Sequence, residues 1–372
     1  MSKPLSKGRK LQFTIISLLL VMLVIWGVAE VVFRGLVYMR SQNYPTQTTE
    51  FDKKMGWNAV PNFDFAGVVP DGKGNEYDLN FRTDENGFKY FGRLNNPNDK
   101  RLLVIGDSYT HAIEVSNDQT YYGLLKDTLD KYHIELFAYG ARGIGPLQQY
   151  IFMEEWYDKI EPDAVLWQFC FNDIYNSSYD LESTSYFNNN RKTRPYLENG
   201  EVVYKNPARL GMGGLRQSSL FLDFILTKME VIIEGNDHKA QTASEDMVAA
   251  KNTAYEPYEK ALKTFDTMVK KMKTKMDKGM AILAFPVDNT QPYLDDMTEI
   301  FQQNGIPVVK QVPLLIDEAS KNGTSVWAKD QAHWNENAHE IASEEIWKYL
   351  EPIVRYPDSI LFKKYHAEDL VD

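Results

Sequence analysis

Residues 102–112 read LLVIGDSYTHA. Four apolar residues run into Gly106-Asp107-Ser108, and a polar stretch follows. A short apolar run closed by turn residues is the pattern of a buried strand that stops abruptly. Ser108 is then either a nucleophile displayed at a strand end or an ordinary serine in a strand-to-helix turn. The tripeptide alone does not separate the two, because Gly, Asp and Ser are common turn residues. The decision rests on whether the rest of the chain supplies partners for Ser108.

Outward from this strand the pattern alternates. RLLVIG, from Arg101, is a short apolar strand, and SNDQTYYGLLKDTLDKY predicts a helix opened by a Ser116/Gln119 capping box. IELFAYG reads as a strand, PLQQYIFMEEWYDKI as a helix with Pro146 at its start, and DAVLWQFCF as a buried strand. Continuous apolar strands alternating with helices imply an α/β fold with a parallel sheet covered on both faces. Residues 174–250 break the pattern and are rich in Tyr, Asn and Ser. Within them RPYLENGEVVYKN reads as a hairpin turning at Asn199-Gly200. LRQSSLFLDFILTKMEVII carries apolar residues at helical spacing, among them Leu220, Phe224 and Ile232. Alternation resumes with a helix near 254–277, the strand AILAFPV, a helix near 292–303, the strand IPVVK and a closing helix from Asn335 to Leu350.

Upstream, Lys3, Lys7, Arg9 and Lys10 precede the apolar run FTIISLLLVMLVIWGVA (Phe13 to Ala29), which continues as EVVFRGLVYM. About 20 apolar residues cross a bilayer as a helix. A signal peptide is the competing reading, with Gly27 and Ala29 as a weak cleavage site. The run continues past that site, which favours an uncleaved anchor. The chain therefore divides into a basic cytoplasmic N-terminus (1–10), a transmembrane anchor (11–38), a linker and small β-rich lead-in (39–100), the main domain (101–350) with an insertion at about 174–250, and a C-terminal tail (351–372). The basic flank stays inside, which places the main domain on the extracytoplasmic side of a single-pass protein. In the lead-in, SQNYPTQTTEFDKKMGW reads as a polar linker and DLNFRTDENGFKYFGR as two strands joined at Asn86-Gly87. The 372 residues carry a net charge of −11, which argues against a nucleic-acid partner. The one cysteine, Cys170, excludes an internal disulfide framework or a cysteine-built metal site.

Three segments can serve Ser108, and sites in open parallel sheets gather where strands end. YGARGIGP (Tyr139 to Pro146) follows the second strand, and its glycines can turn sharply and present a bare N–H. Asn172-Asp173 follows the third strand, where a side-chain amide can donate to a developing oxyanion. AKDQAHWNENAHE holds Asp330 and His333 at a spacing that lets the carboxylate accept from the near ring nitrogen. The far nitrogen is then free to act as a base toward a serine. Of the other histidines, His111, His133, His238 and His366 lack such a setting, and His339 reads as a packing or surface residue.

Together the four segments resemble the GDSL/SGNH hydrolase superfamily, in particular its membrane-anchored bacterial members, over about residues 75–350. The resemblance implies an SGNH-type, flavodoxin-like three-layer α/β/α fold. It implies Ser108 as nucleophile, His333 as base and Asp330 as its orienting carboxylate. It implies an oxyanion hole of the Ser108 and Gly143 N–H groups and the Asn172 side chain, with Gly145 the nearest competitor of Gly143. It implies no metal and no cofactor. Three positions depart from the family pattern: Cys170 stands where Gly is usual, Ala138 where Asn is usual, and Ala112 where many relatives have Gly. Cys170 sits in an apolar strand without a local base and reads as a small buried residue. The function expected is an anchored serine esterase, held to the bacterial cytoplasmic membrane by its N-terminal helix, that hydrolyses an O-acyl ester, O-acetyl included, on a glycan or small molecule. An O-acyltransferase using the same triad on an exported polysaccharide and a non-catalytic glycan-binding module are the alternatives.

Overall fold

The computed structural model describes residues 6–70, 75–92, 99–187, 190–276 and 281–355. It opens with a 35-residue apolar helix, α1 (Lys7–Ser41), long and apolar enough to cross a bilayer and unburied over its most apolar stretch. Two antiparallel hairpins follow, β1 (Thr49–Asp52) with β2 (Gly56–Ala59), and β3 (Asp64–Pro70) with β4 (Glu76–Arg82). The central unit then begins: β5 (Lys100–Gly106), α2 (Ser108–His111), α3 (Lys126–Lys131), β6 (Ile134–Gly140), α4 (Pro146–Ile160) and β7 (Ala164–Phe169). After β7 the chain leaves the sheet through α5 (Asn172–Asn176), α6 (Tyr179–Glu182), the hairpin β8 (Arg194–Glu198) and β9 (Glu201–Lys205), α7 (Gly213–Ser218), α8 (Leu220–Lys239) and α9 (Ser244–Lys251). It returns with α10 (Glu256–Met276), β10 (Ala281–Pro286), α11 (Tyr293–Gln303), α12 (Gln311–Lys321) and α13 (Glu336–Arg355).

The sheet order is β10-β7-β5-β6, with every pair parallel. A single parallel bridge, Ala284 to Val308, adds a fifth position beyond β10. Strand order reverses around β5, so the crevice for a ligand opens at its carboxyl end, next to Gly106. Alternate residues divide between two cores, as the period of two requires. Leu103, Ile105, Val165 and Trp167 pack with Phe152, Phe265 and Phe301 of α4, α10 and α11. Leu102, Val104 and Leu166 pack with Leu129, Ile316 and Ile346 of α3, α12 and α13. The result is a three-layer α/β/α fold.

Several expectations need correction. Residues 116–132 do not form one helix: the capping box opens a single 3-10 turn, Asn117–Gln119, and α3 starts only at Lys126. Tyr121 and Tyr122 are fully buried between these pieces, and a Cβ on Gly123 would overlap the Asn117 carbonyl. The turn at Asn86-Gly87 forms, but β4 pairs back to β3, and only the bridge Thr83 to Lys89 follows the turn. IPVVK contributes one bridge where a strand was expected. The stretch read as a polar linker contains β1 and runs into β2, and its Met55 and Trp57 belong to the main core. The closing helix runs on through Pro352 to Arg355. The tail beyond it, residues 1–5 of the basic terminus and His366 lie outside the described residues. The helix read from the spacing of Leu220, Phe224 and Ile232 forms as α8, with Phe224 and Ile232 41% and 65% exposed.

Helix α2 ends on Ala112, a buried residue in the left-handed region with φ 43°. A Cβ there costs roughly 1–2 kcal/mol, which accounts for glycine being the favoured residue at this point. Ala112→Gly is expected to stabilise the protein by about 1 kcal/mol. Thermal denaturation of the full chain checks this; an unchanged or lower midpoint contradicts the strained turn.

Candidate active site

Ser108 begins α2 immediately after β5. The turn is clamped from the neighbouring strand by Gln168, whose Oε1 accepts from the Asp107 N–H and the Thr110 hydroxyl, both at 2.9 Å. Gly106 makes the clamp possible, because any Cβ there would overlap Gln168 Oε1. Asp107 is fully buried and caps α2 through the Tyr109 N–H at 3.0 Å. Its burial pushes its carboxyl up, a push only partly offset by the hydrogen bond from Tyr109 and by His333.

The loop carrying His333 is held by its own carboxylate. Asp330 Oδ1 accepts the N–H groups of Ala332 and His333 at 3.0 Å, and Gln331 takes a left-handed φ of 56° to complete the turn. The other oxygen accepts His333 Nδ1–H at 2.5 Å. Nε2 then lies 3.0 Å from Ser108 Oγ. Tyr109 locks the two turns together: its hydroxyl donates to the Ala332 carbonyl at 2.7 Å, and its ring lies 5.1 Å from the His333 ring. The hydrogen-bonded chain Asp330–His333–Ser108 thus spans 225 residues of sequence.

Burial works against the charged imidazole, but the hydrogen bond to Asp330 and the charges of Glu114 and Asp330 outweigh it, so the His333 pKa is raised above 6.5. Asp330 is lowered: the hydrogen bond and charge of His333 and the two backbone N–H groups overcome its desolvation. Glu114 was not singled out from the sequence. It is 5% exposed and its Oε1 lies 3.6 Å from His333 Nδ1. Burial raises its own pKa against the pull of His333.

Ser108, Gly143, Asn172 and His333 line one cleft of about 760 Å³. Gly143 has φ +69°, and a Cβ there would overlap the Asn190 amide. Its carbonyl is held by Arg194, which is fully buried and ion-paired with Glu182 at 3.1 Å, while Tyr196 also donates to Glu182. The N–H of Gly143 has no acceptor among the described residues. That of Gly145 is taken by Gln148 Oε1 at 3.1 Å. Asn172 buries its Oδ1 without a partner, which leaves the amide nitrogen as the polar atom available to the cleft. The turn before it is built by Asp173 and Asp288, which accept the N–H groups of Cys170 and Phe171 at 3.0 Å. Cys170 itself is 2% exposed, and burial pushes its thiol up, so it stays neutral. His339 is buried, accepts from the Tyr121 N–H and stacks on that ring. The insertion walls the cleft with Tyr186, Phe187, Lys192 and Glu245. Such an arrangement offers a hydroxyl, a base oriented toward it and N–H donors on one side of an open space, which is the equipment for acyl transfer through a covalent intermediate.

The sequence profile of the GDSL-like lipase/acylhydrolase family matches residues 102–346. No curated protein matches the chain. Among solved structures the chain is similar to a psychrotrophic esterase from a Pseudoalteromonas species (15% identity over 68% of this chain and 97% of that one, TM-score 0.39). It is also similar to an acetyl xylan esterase (14% identity, 67% and 99%, TM-score 0.39) and to a family 3 carbohydrate esterase from Clostridium thermocellum (12%, 70% and 100%, TM-score 0.37).

The geometry orders two effects on His333. Asp330→Asn should lower the imidazole pKa most, since it removes a charged hydrogen bond, and Glu114→Gln should lower it less. NMR titration of His333 measures both; an unmoved pKa in Asp330→Asn contradicts the pairing.

Proposed function

This chain belongs to the GDSL-like lipase/acylhydrolase family, whose members act on ester bonds, and on that premise we propose that it is a membrane-anchored serine esterase working outside the cytoplasm on an O-acylated glycan or small acyl ester. The observation that carries the proposal is the unbroken chain Asp330–His333–Ser108, whose histidine and serine line the cleft. Ser108 Oγ attacks the ester carbonyl as His333 Nε2 takes its proton. The tetrahedral oxyanion is met by the N–H groups of Ser108 and Gly143 and the amide of Asn172. Collapse expels the alcohol, which receives the proton from His333. Water, deprotonated by the same nitrogen, then attacks the acyl-enzyme and releases the acid, restoring Ser108. Asp330 keeps the proton on Nδ1 and supports the imidazolium.

Helix α1 is the anchor in this reading. Its basic start at Lys7, Arg9 and Lys10 stays inside, and the chain beyond about Gln42 lies outside. Residues 39–100 lead into the catalytic domain of 101–350, and the insertion of 174–250 forms a wall of its cleft. Hydrolysis is the default for an acyl-enzyme in a cleft open to water; transfer requires an acceptor held better than water.

Ser108→Ala should remove ester turnover by about four orders of magnitude or more while the fold persists. The base must be neutral, so wild-type activity should fall as pH drops through the raised His333 pKa, with the midpoint of the acid limb above 6.5. Assay of the full chain on short acyl esters, with and without glycan acceptors, tests both. Retained activity in Ser108→Ala, or a rate flat down to pH 5, contradicts the mechanism. Acyl label transferred to glycan in place of free acid would replace hydrolysis by transfer.

A further inference from the structure

Helix α8 wears its polarity inside out. Glu230 and Glu234 point inward, 0% and 4% exposed, where Arg216 meets both Glu230 oxygens at 2.8 and 2.9 Å and Arg191 reaches Glu234 at 2.6 Å. Outward stand Phe224, Ile225, Met229, Val231 and Ile232, from 39% to 65% exposed, with Met212 and Leu215 of the adjoining segment exposed beside them. A helix facing water sorts these groups the other way. Burying the ion pairs costs desolvation that only complete pairing offsets, so the arrangement makes physical sense where the outer face does not meet water.

The position of α8 identifies what it meets. Phe221 touches Trp26 and Phe33 of α1, with ring centroids 5.6 and 5.3 Å away, and the Phe224 ring lies tilted 4.8 Å from that of Phe33. Between Leu11 and Tyr38 the chain has two charged residues, Glu30 and Arg34. Both are consumed at this junction. Glu30 accepts from Ser219 Oγ at 2.8 Å and from the N–H groups of Leu220 and Phe221, which caps the start of α8. Arg34 bonds Glu30 at 2.7 Å and the Ser218 carbonyl at 3.1 Å. A bilayer core takes about 20 helical residues, and that length counted from Leu11 ends at Glu30. With α1 read as the anchor, the tip between α7 and α8 then lies at the outer end of the span.

We propose that α7 and α8 are seated in the outer interfacial layer of the lipid bilayer beside α1, with Phe224, Ile225, Met229 and Ile232 against acyl chains. This rests on the reading of α1 as a membrane anchor. Lys228, whose Nζ lies 5.6 Å from the Phe224 ring centre, reaches from that face toward the headgroup phosphates. The far end of α8 bears on the cleft: His238 packs 4.4 Å from the ring of Tyr186, a residue of the cleft wall. The bilayer surface thus holds one wall of the cleft and fixes the site close to the membrane, where esters carried on membrane-linked or surface-bound molecules are met.

The test uses the full chain with Cys170→Ala, reconstituted in phosphatidylcholine–phosphatidylglycerol vesicles and carrying a bimane label on one new cysteine. Ile232→Cys and Met229→Cys probe the outer face, Leu19→Cys the anchor and Val202→Cys the exposed hairpin. Lipids brominated on the acyl chains are expected to quench labels at 19, 229 and 232 and to spare 202; aqueous iodide is expected to quench 202 alone. Iodide quenching at 229 and 232 with lipid quenching kept at 19 overturns the seating of α8 and leaves the anchor standing. Protection of 229 and 232 from both quenchers, with cross-linking between copies, makes the face a protein interface and also overturns it. Loss of lipid quenching at 19 as well overturns the anchor reading together with this one.

Discussion

The site depends on how closely two strands approach where β5 ends. Gly106 has no side chain, so Gln168 can come in from β7 and accept both the Asp107 N–H and the Thr110 hydroxyl. That contact stops the strand, starts α2 and presents Ser108 at the point where strand order reverses. Tyr109, the next residue, carries the constraint across the cleft to the Ala332 carbonyl. His333 is therefore placed by the same turn that places Ser108. An oriented base within hydrogen-bonding reach of a hydroxyl is worth little if either can drift by an ångström; here one residue's neighbours fix both.

Parts of this were legible in the sequence for identifiable reasons. β5, β6, β7 and β10 are buried on both faces, and continuous apolar runs announce that. Asp330 and His333 are neighbours in sequence, so their pairing could be read as spacing, and the hairpin at Asn199-Gly200 follows from two residues that accept positive φ. What stayed hidden depends on distant parts of the chain. Glu114 looks like any surface glutamate until the fold buries it beside His333. Arg194 could be read only as the first residue of a hairpin, and nothing in the sequence shows that it holds the Gly143 carbonyl with Glu182 as its ion-pair partner. The helix expected over 116–132 was lost to the burial of Tyr121 and Tyr122, a tertiary demand that outweighs local propensity. Helix α8 was legible from its apolar periodicity, but periodicity does not say which way the face turns, and here much of it points out of the protein.

The insertion between β7 and α10 joins two environments. At one end its helices meet α1 through Glu30, Arg34 and a set of aromatic rings. At the other, Tyr186, Phe187 and Glu245 stand over the cleft, tied by hydrogen bonds from the Tyr186 N–H to Glu245 and from Ser244 to the Leu181 carbonyl. The same segment that orients the domain on α1 also shapes the space above Ser108. In this account the length of the insertion is accounted for by these two attachments.

The central claim is that Ser108 is an activated nucleophile whose reactivity comes from His333. Its most direct test is covalent trapping of the full chain with an aryl phosphonate ester, followed by mass spectrometry of the labelled peptide. The account predicts one phosphonyl group per chain, on Ser108, and a large loss of labelling rate in His333→Ala. Label on another residue, or undiminished labelling of Ser108 in His333→Ala, would contradict it.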